Sequence, residues 1–253
     1  MLKVRVIPCL LYYKKGLYKT VKFKDPSYIG DPINAIKIYN EKEVDELILL
    51  DIEASVNNCE PNYKLITEIA SECFMPLAYG GGIKKLDEVK KIFEIGVEKI
   101  SLNTSAAINI QLVSEIANAF GSQSVIGSID VKNSFFGKKE VVINRGKKSI
   151  KETPVKYAKI LEEAGAGEIL LTSVDKEGTW NGFDLDLILD ITSSVQIPVI
   201  ANGGAGSLND IQYAVKNGGA SAVAMGSMVV YQKKGMGVLI NFPERKVLEE
   251  ILS

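Results

Sequence analysis

The chain contains no histidine. That removes the commonest general base near neutral pH and the commonest metal ligand, so proton transfer falls to carboxylates, lysines, a thiol or phenols. Cysteine is scarce as well. Cys9, Cys59 and Cys73 are odd in number and show no C-x-x-C spacing, which argues against a disulfide framework or a thiolate metal site and fits a reducing compartment. No metal and no cofactor is expected. Charge of one sign is not in excess: the net charge is −1, and no basic field pulls the chain onto nucleic acid or acidic lipid. Long apolar runs are missing too, and the opening M-L-K-V-R-V-I-P-C-L lacks the apolar core and cleavage site of a signal peptide. A cytoplasmic location is expected, with neither nucleic acid nor membrane as a partner.

What remains is 253 residues with 46% hydrophobic content, enough for one sizeable core. Eight short β-branched runs alternate with amphipathic stretches: V-R-V-I-P-C-L, E-L-I-L-L-D-I, P-L-A-Y-G, E-K-I-S-L-N, S-V-I-G-S-I-D, E-I-L-L-T-S, P-V-I-A-N-G and A-V-A-M-G. This alternation predicts parallel βα units. Gly30-Asp31-Pro32 reads as a helix start, and Ile66, Ile69 and Ala70 keep helical spacing after Pro61.

The stretch from Pro76, P-L-A-Y-G-G-G-I-K-K-L-D-E-V, aligns without gaps to P-V-I-A-N-G-G-A-G-S-L-N-D-I from Pro198, 122 residues on. At the same offset Glu46 to Leu49 overlay Glu168 to Leu171, Gly96 overlays Gly218 and Ser105 overlays Ser227. The expectation is an α/β fold, a single (β/α)8 TIM barrel over 1–253 built from half-barrel repeats of about 1–122 and 123–253.

Barrel active sites lie at the carboxyl ends of the strands. The repeat brings Gly81 and Gly82 there in one half and Gly203 and Gly204 in the other, each followed at the next strand end by a second element, Asn103-Thr104 and Gly226-Ser227. Glycine lets the backbone approach a ligand closely, and exposed N–H groups favour a phosphate dianion. A single G-G pair is more often a plain turn. Two matched pairs predict two phosphate sites across one mouth, and a long, bisphosphorylated small molecule as ligand.

The blocks L-D-I-E-A-S, G-G-G-I, S-L-N-T-S-A, F-G-S-Q-S-V-I-G-S-I-D-V-K, A-G-A-G-E-I-L-L-T-S-V-D-K-E-G-T and A-N-G-G-A-G resemble the cyclase subunit (HisF) of imidazole glycerol phosphate synthase, from Lys3 to about Ser227. The pattern is that of a divergent paralogue. The resemblance implies a lyase-type cyclase that works with a glutaminase subunit at the N-terminal face of the barrel. It receives ammonia through the barrel core and uses two aspartates as acid and base. Asp130 matches one of them. At the other, the family pattern C-L-D-V-K-D-G becomes C-L-L-Y-Y-K-K-G, so Leu11 replaces an acid. The internal repeat independently makes position 11 the mate of Asp130.

Lys19, in a long loop after the first strand, and Asp51 also match family site residues, with a solvated lysine and a helix-start cap as their plainer readings. Gly178 falls at the second phosphate site. Glu177 stands where the family carries aspartate, and Trp180 where a shorter or polar residue is usual. After Tyr231 the pattern departs from the family, and the V-L-I-N-F-P run there is expected in the core.

Arg5, Glu46, Lys99 and Glu168 each open an otherwise apolar strand, in parity with Cys9, Ile48, Ser101 and Thr172. By resemblance they match the salt-bridged gate between glutaminase and barrel; the plainer reading is solvated strand-entry charge.

Three functions follow. One is an ammonia-delivering barrel that serves amidation of a cell-surface sugar precursor, with a sugar amidotransferase as a further partner. Another is a genuine histidine-pathway cyclase in which Asp51, Glu53 or Tyr12 replaces the lost acid. The last is a non-catalytic phosphate-binding scaffold for the glutaminase.

Overall fold

The computed structural model describes residues 4–252; Met1, Leu2, Lys3 and Ser253, the ends of the expected domain, lie outside the described residues. In chain order the strands are β1 (Arg5–Tyr13), β2 (Gly16–Val21), β3 (Lys24–Gly30), β4 (Leu47–Asp51), β5 (Leu77–Gly80), β6 (Lys99–Leu102), β7 (Val125–Asn133), β8 (Lys139–Ile143), β9 (Lys148–Ser149), β10 (Glu168–Ser173), β11 (Val199–Asn202) and β12 (Ala222–Met225). The helices are α1 (Pro32–Glu41), α2 (Tyr63–Glu72), α3 (Leu86–Ile95), α4 (Thr104–Ile108), α5 (Gln111–Phe120), α6 (Pro154–Glu163), α7 (Leu185–Thr192), α8 (Leu208–Lys216), α9 (Ser227–Val230) and α10 (Arg245–Leu252).

Strands β1, β4, β5, β6, β7, β10, β11 and β12 pair in that order, every pairing parallel, and β12 pairs back onto β1. The sheet is therefore a closed (β/α)8 TIM barrel, and its eight strands are the eight apolar runs of the sequence. Closure buries both faces. Outward residues such as Val6, Leu10, Leu47 and Tyr79 pack under the helices, while Ile7, Cys9, Ile48, Ala78, Ile126, Leu170, Ile200, Ala222 and Ala224 form a separate interior cluster.

Local signals set the helix starts. The Asp31 carboxylate accepts the Asn34 N–H at 3.1 Å ahead of Pro32, as the sequence predicts. Glu88 accepts the N–H groups of Lys84 and Lys85 at 2.6 and 3.0 Å and so holds the turn that follows Gly82. Asp210 does the same for Gly206 at 3.0 Å after the second glycine turn.

The 122-residue offset does not run through every element. The caps of α4 and α9, Asn103 and Gly226, share a backbone conformation (φ/ψ −111/−85° and −105/−80°), so Ser227 stands where Thr104 does rather than opposite Ser105.

The stretch after β1, read from sequence as a long loop, is instead two antiparallel strands that continue the barrel wall: β2 pairs with β1, and β3 with β2. A second hairpin extends β7 through β8 and β9. The tail also departs from expectation. Val238 and Leu239 are half exposed, and only Ile240 and Phe242 of that run lean on the core, because the segment crosses the surface between α9 and α10 without a strand or helix of its own. No helix among the described residues is long and apolar enough to cross a membrane.

Candidate functional site

At the N-terminal end of the barrel four charged side chains close into one ring. Arg5 donates to Glu46 at 2.5 Å and to Glu168 at 3.0 Å; Lys99 donates to Glu46 at 3.0 and 3.2 Å and to Glu168 at 3.0 Å. Each cation touches both anions, so the charges cancel locally. That balance lets Glu46 sit almost without solvent exposure (2%). The plainer reading of separate, solvated strand-entry charges does not hold.

Inward parity continues upward from the ring. On β1 the next inward residues are Ile7 and Cys9, and on β4 Ile48 and Leu50. On β6 and β10 the residues two beyond Lys99 and Glu168, namely Ser101 and Leu170, already line the cavity above. Between the ring and the cavity lies an apolar layer that includes Ile7, Ile48 and Ile126. Above it Ser101 and Ser128 share a hydroxyl hydrogen bond of 2.5 Å, and Asn202 donates to Thr172 at 3.1 Å.

The cavity at the C-terminal mouth measures about 150 Å³. It gathers Leu11, Lys19, Asp51 and Asp130, the first glycine turn Gly81-Gly82 with Asn103-Thr104, and the second, Gly203-Gly204, with Gly178, Gly226 and Ser227. The glycines are required by shape. Gly82 (φ +74°) and Gly204 (φ +119°) hold left-handed conformations in which a Cβ would strike the carbonyl oxygens of Cys59 and Gly182.

Asp130 ends the inward series on β7 and accepts from the Asn103 amide at 3.2 Å. Burial pushes its carboxyl up to about 7, with the Thr172 hydroxyl working the other way. Because the folded value lies above the unfolded one, Asp130 favours folding at low pH, and that contribution is lost as pH rises toward 7. Asp130→Asn should therefore raise stability at pH 8 by on the order of 4 kcal/mol, seen as a higher melting temperature, and change it little at pH 4. Thermal scans at both pH values read this out, and an equal effect at both would contradict it.

Asp51 caps its own turn, accepting from the N–H groups of Glu53 and Ala54 at 3.0 Å each, and burial raises its carboxyl. Tyr12 points outward into the core beneath the helices, and Glu53 does not line the cavity, so of the three substitutes for the lost acid only Asp51 faces the site.

Lys19 is not a solvated loop lysine. It lies on β2, 7% exposed, and its ammonium meets the Glu177 carboxylate. Burial lowers its pKa to about 8, which leaves it charged at neutral pH opposite Glu177. Glu177 also accepts from the Thr20 hydroxyl and the Phe23 N–H at 3.0 Å each, and its own carbonyl from the Lys22 N–H at 3.0 Å. One residue thus pins the β2–β3 hairpin across the mouth.

Comparison with known proteins decides the family. The model of the family described as "Histidine biosynthesis protein" matches residues 5–235. The chain belongs to that family. A Pseudomonas aeruginosa protein provisionally named imidazole glycerol phosphate synthase subunit hisF2 is 54% identical over 98% of this chain and 99% of its own. Similarly named proteins are the HisF subunit of Leptospira borgpetersenii, 46% identical over 96% of each chain, and the hisF3 subunit of Vibrio vulnificus, 45% identical over 98% of each. The barrel is thus a divergent HisF paralogue, of the cyclase-subunit type of imidazole glycerol phosphate synthase.

In this HisF barrel the position on β1 that faces the cavity with Asp130 holds Leu11, an aliphatic side chain with no proton to exchange. The two hairpins add cavity residues that no sequence motif had singled out, among them Thr20, Phe23 and Arg145.

Proposed function

We propose that this HisF paralogue receives ammonia from a glutaminase subunit docked at the N-terminal face of the barrel. It passes the ammonia through the ring of Arg5, Glu46, Lys99 and Glu168 and releases it at the mouth, to amidate a cell-surface sugar precursor. The observation that carries this reading is the pairing of a complete charged ring with a mouth in which Leu11 faces the cavity in place of the second acid.

Opening the ring requires only that one cation release one carboxylate while its other contact holds. Ammonia is small and uncharged, so it can slip past Ile7 and Ile48 to the hydroxyls of Ser101 and Ser128, whereas ammonium and water are held back by the cost of leaving bulk solvent. At the mouth, Asp130 is poised near neutrality to exchange a proton, and the two glycine turns with Asn103, Thr104, Gly178, Gly226 and Ser227 accept the phosphates of a phosphorylated or bisphosphorylated ligand. Loss of one member of an acid and base pair costs ~10²–10⁴-fold. The histidine-pathway cyclisation is therefore inefficient here, and the ammonia is passed on, with a sugar amidotransferase as the recipient partner.

Asp51 favours a second reading, a working cyclase, because it is an acid in the cavity with a raised pKa. One experiment separates the two. Cells with and without this gene are fed glutamine labelled with ¹⁵N at the amide, and the surface sugars are analysed by mass spectrometry; the gene is also tested in a strain lacking its histidine cyclase. Label lost from the sugars on deletion, with no growth without histidine, is the expected outcome. Growth without histidine would establish the cyclase instead.

A further inference from the structure

Arg145 has no place in the function so far. It sits on the turn between β8 and β9 and lines the mouth cavity beside Asn103, Thr104 and Ser105. Its turn is tied to that corner, since the Asn144 N–H donates to the Thr104 hydroxyl at 3.1 Å. The guanidinium lies 5.3 Å over the Tyr13 ring, and the Lys14 ammonium 5.2 Å from the same ring. Among the described residues no carboxylate pairs with Arg145 and no hydrogen bond uses its N–H donors.

The backbone is equally particular. Asn144 and Arg145 both hold left-handed conformations, φ +52° and +58°, a strained backbone for an arginine, and the bond to Thr104 braces the turn. A Cβ on Gly146 would meet the Phe23 ring at 3.5 Å, so the two hairpins come together at this point over the mouth.

We propose that Arg145 is an anion-binding residue. It grips the phosphate of a ligand seated at the Asn103–Thr104 corner, with Tyr13 as the shelf that orients it, and so determines which phosphorylated compounds that corner accepts. A planar fork with free donors, already oriented and facing a polar corner, matches a phosphate bidentately and loses little entropy on binding. The inference rests on the reading of the mouth as a phosphate site.

The test is a titration of inorganic phosphate into ¹⁵N-labelled protein, with the amide signals of Thr104 and Ser105 followed separately from those of Gly204 and Ser227. Saturable shifts are expected at both corners of the wild type. Arg145→Ala should weaken phosphate roughly tenfold at Thr104 and leave Gly204 and Ser227 unchanged, and Arg145→Lys should fall between. An Arg145→Ala protein that binds phosphate at Thr104 as tightly as the wild type, with only its melting temperature lowered, overturns the assignment and leaves a surface stack on Tyr13. Absence of saturable shifts at either corner of the wild type overturns the phosphate reading itself, and Arg145's role with it.

Discussion

Leu11→Asp should raise ammonia-dependent formation of imidazole glycerol phosphate by about 10²-fold over the wild-type chain, measured with the purified barrel, ammonium salt and the histidine-pathway intermediate. Leu11 occupies the top of the inward series Arg5, Ile7, Cys9 on β1, as Asp130 does on β7, so a carboxylate there enters the cavity rather than the helix layer. Two carboxylates facing one small cavity push their pKa values apart, and the protonated one then acts as acid while the ionised one acts as base. Asp130 is already displaced to about 7 by burial alone. If the wild type turns over as fast as Leu11→Asp, position 11 is not where the acid was lost, and the cyclase reading through Asp51 takes over.

The barrel was legible because closure in a parallel sheet demands apolar runs of strand length at regular spacing, and the chain shows eight of them. The ring was legible for a related reason. Period-two parity sends Arg5 the same way as Cys9, and Lys99 the same way as Ser101, whatever the loops do. The two hairpins were not legible. The turns of the first, Lys14-Lys15 and Lys22-Phe23, are all at positive φ without the usual Asn-Gly or Asp-Gly signature, and the second turns at Gly137 and at Asn144-Arg145-Gly146, where glycine marks a turn but not the strand pairing it joins. Of the residues the hairpins carry, only Lys19 was marked, by its match to the family site, and its pairing with Glu177, 158 residues away, was not. Arg145 likewise needs Tyr13 and Thr104 beside it before it differs from the neighbouring Lys147 and Lys148. The exposure of Val238 and Leu239 was missed for the opposite reason, since an apolar run is no guarantee that a barrel already closed has room to cover it.

The second large effect concerns the ring. Lys99→Ala removes one cation and leaves Arg5 still bridging Glu46 and Glu168, so the fold survives with one side of the floor open and a net negative charge there. Arg5→Ala would leave Lys99 bridging the same pair. Glu46→Ala is the poorer probe, because it leaves Arg5 and Lys99 sharing Glu168 alone and empties the most deeply buried position of the ring. On the proposed ammonia route, an opened floor would no longer separate ammonia made in the partner from ammonium in solution.

The decisive measurement supplies the complex of this chain and its glutaminase with amide-¹⁵N glutamine, excess unlabelled ammonium and a desalted extract of cells lacking the gene as the source of acceptor, and reads the isotope in the amidated product. With wild type the product should carry ¹⁵N almost throughout, and with Lys99→Ala it should fall to the isotopic ratio of the bulk. Equal labelling with both proteins, or a wild-type product already at the bulk ratio, would contradict passage of ammonia through the ring.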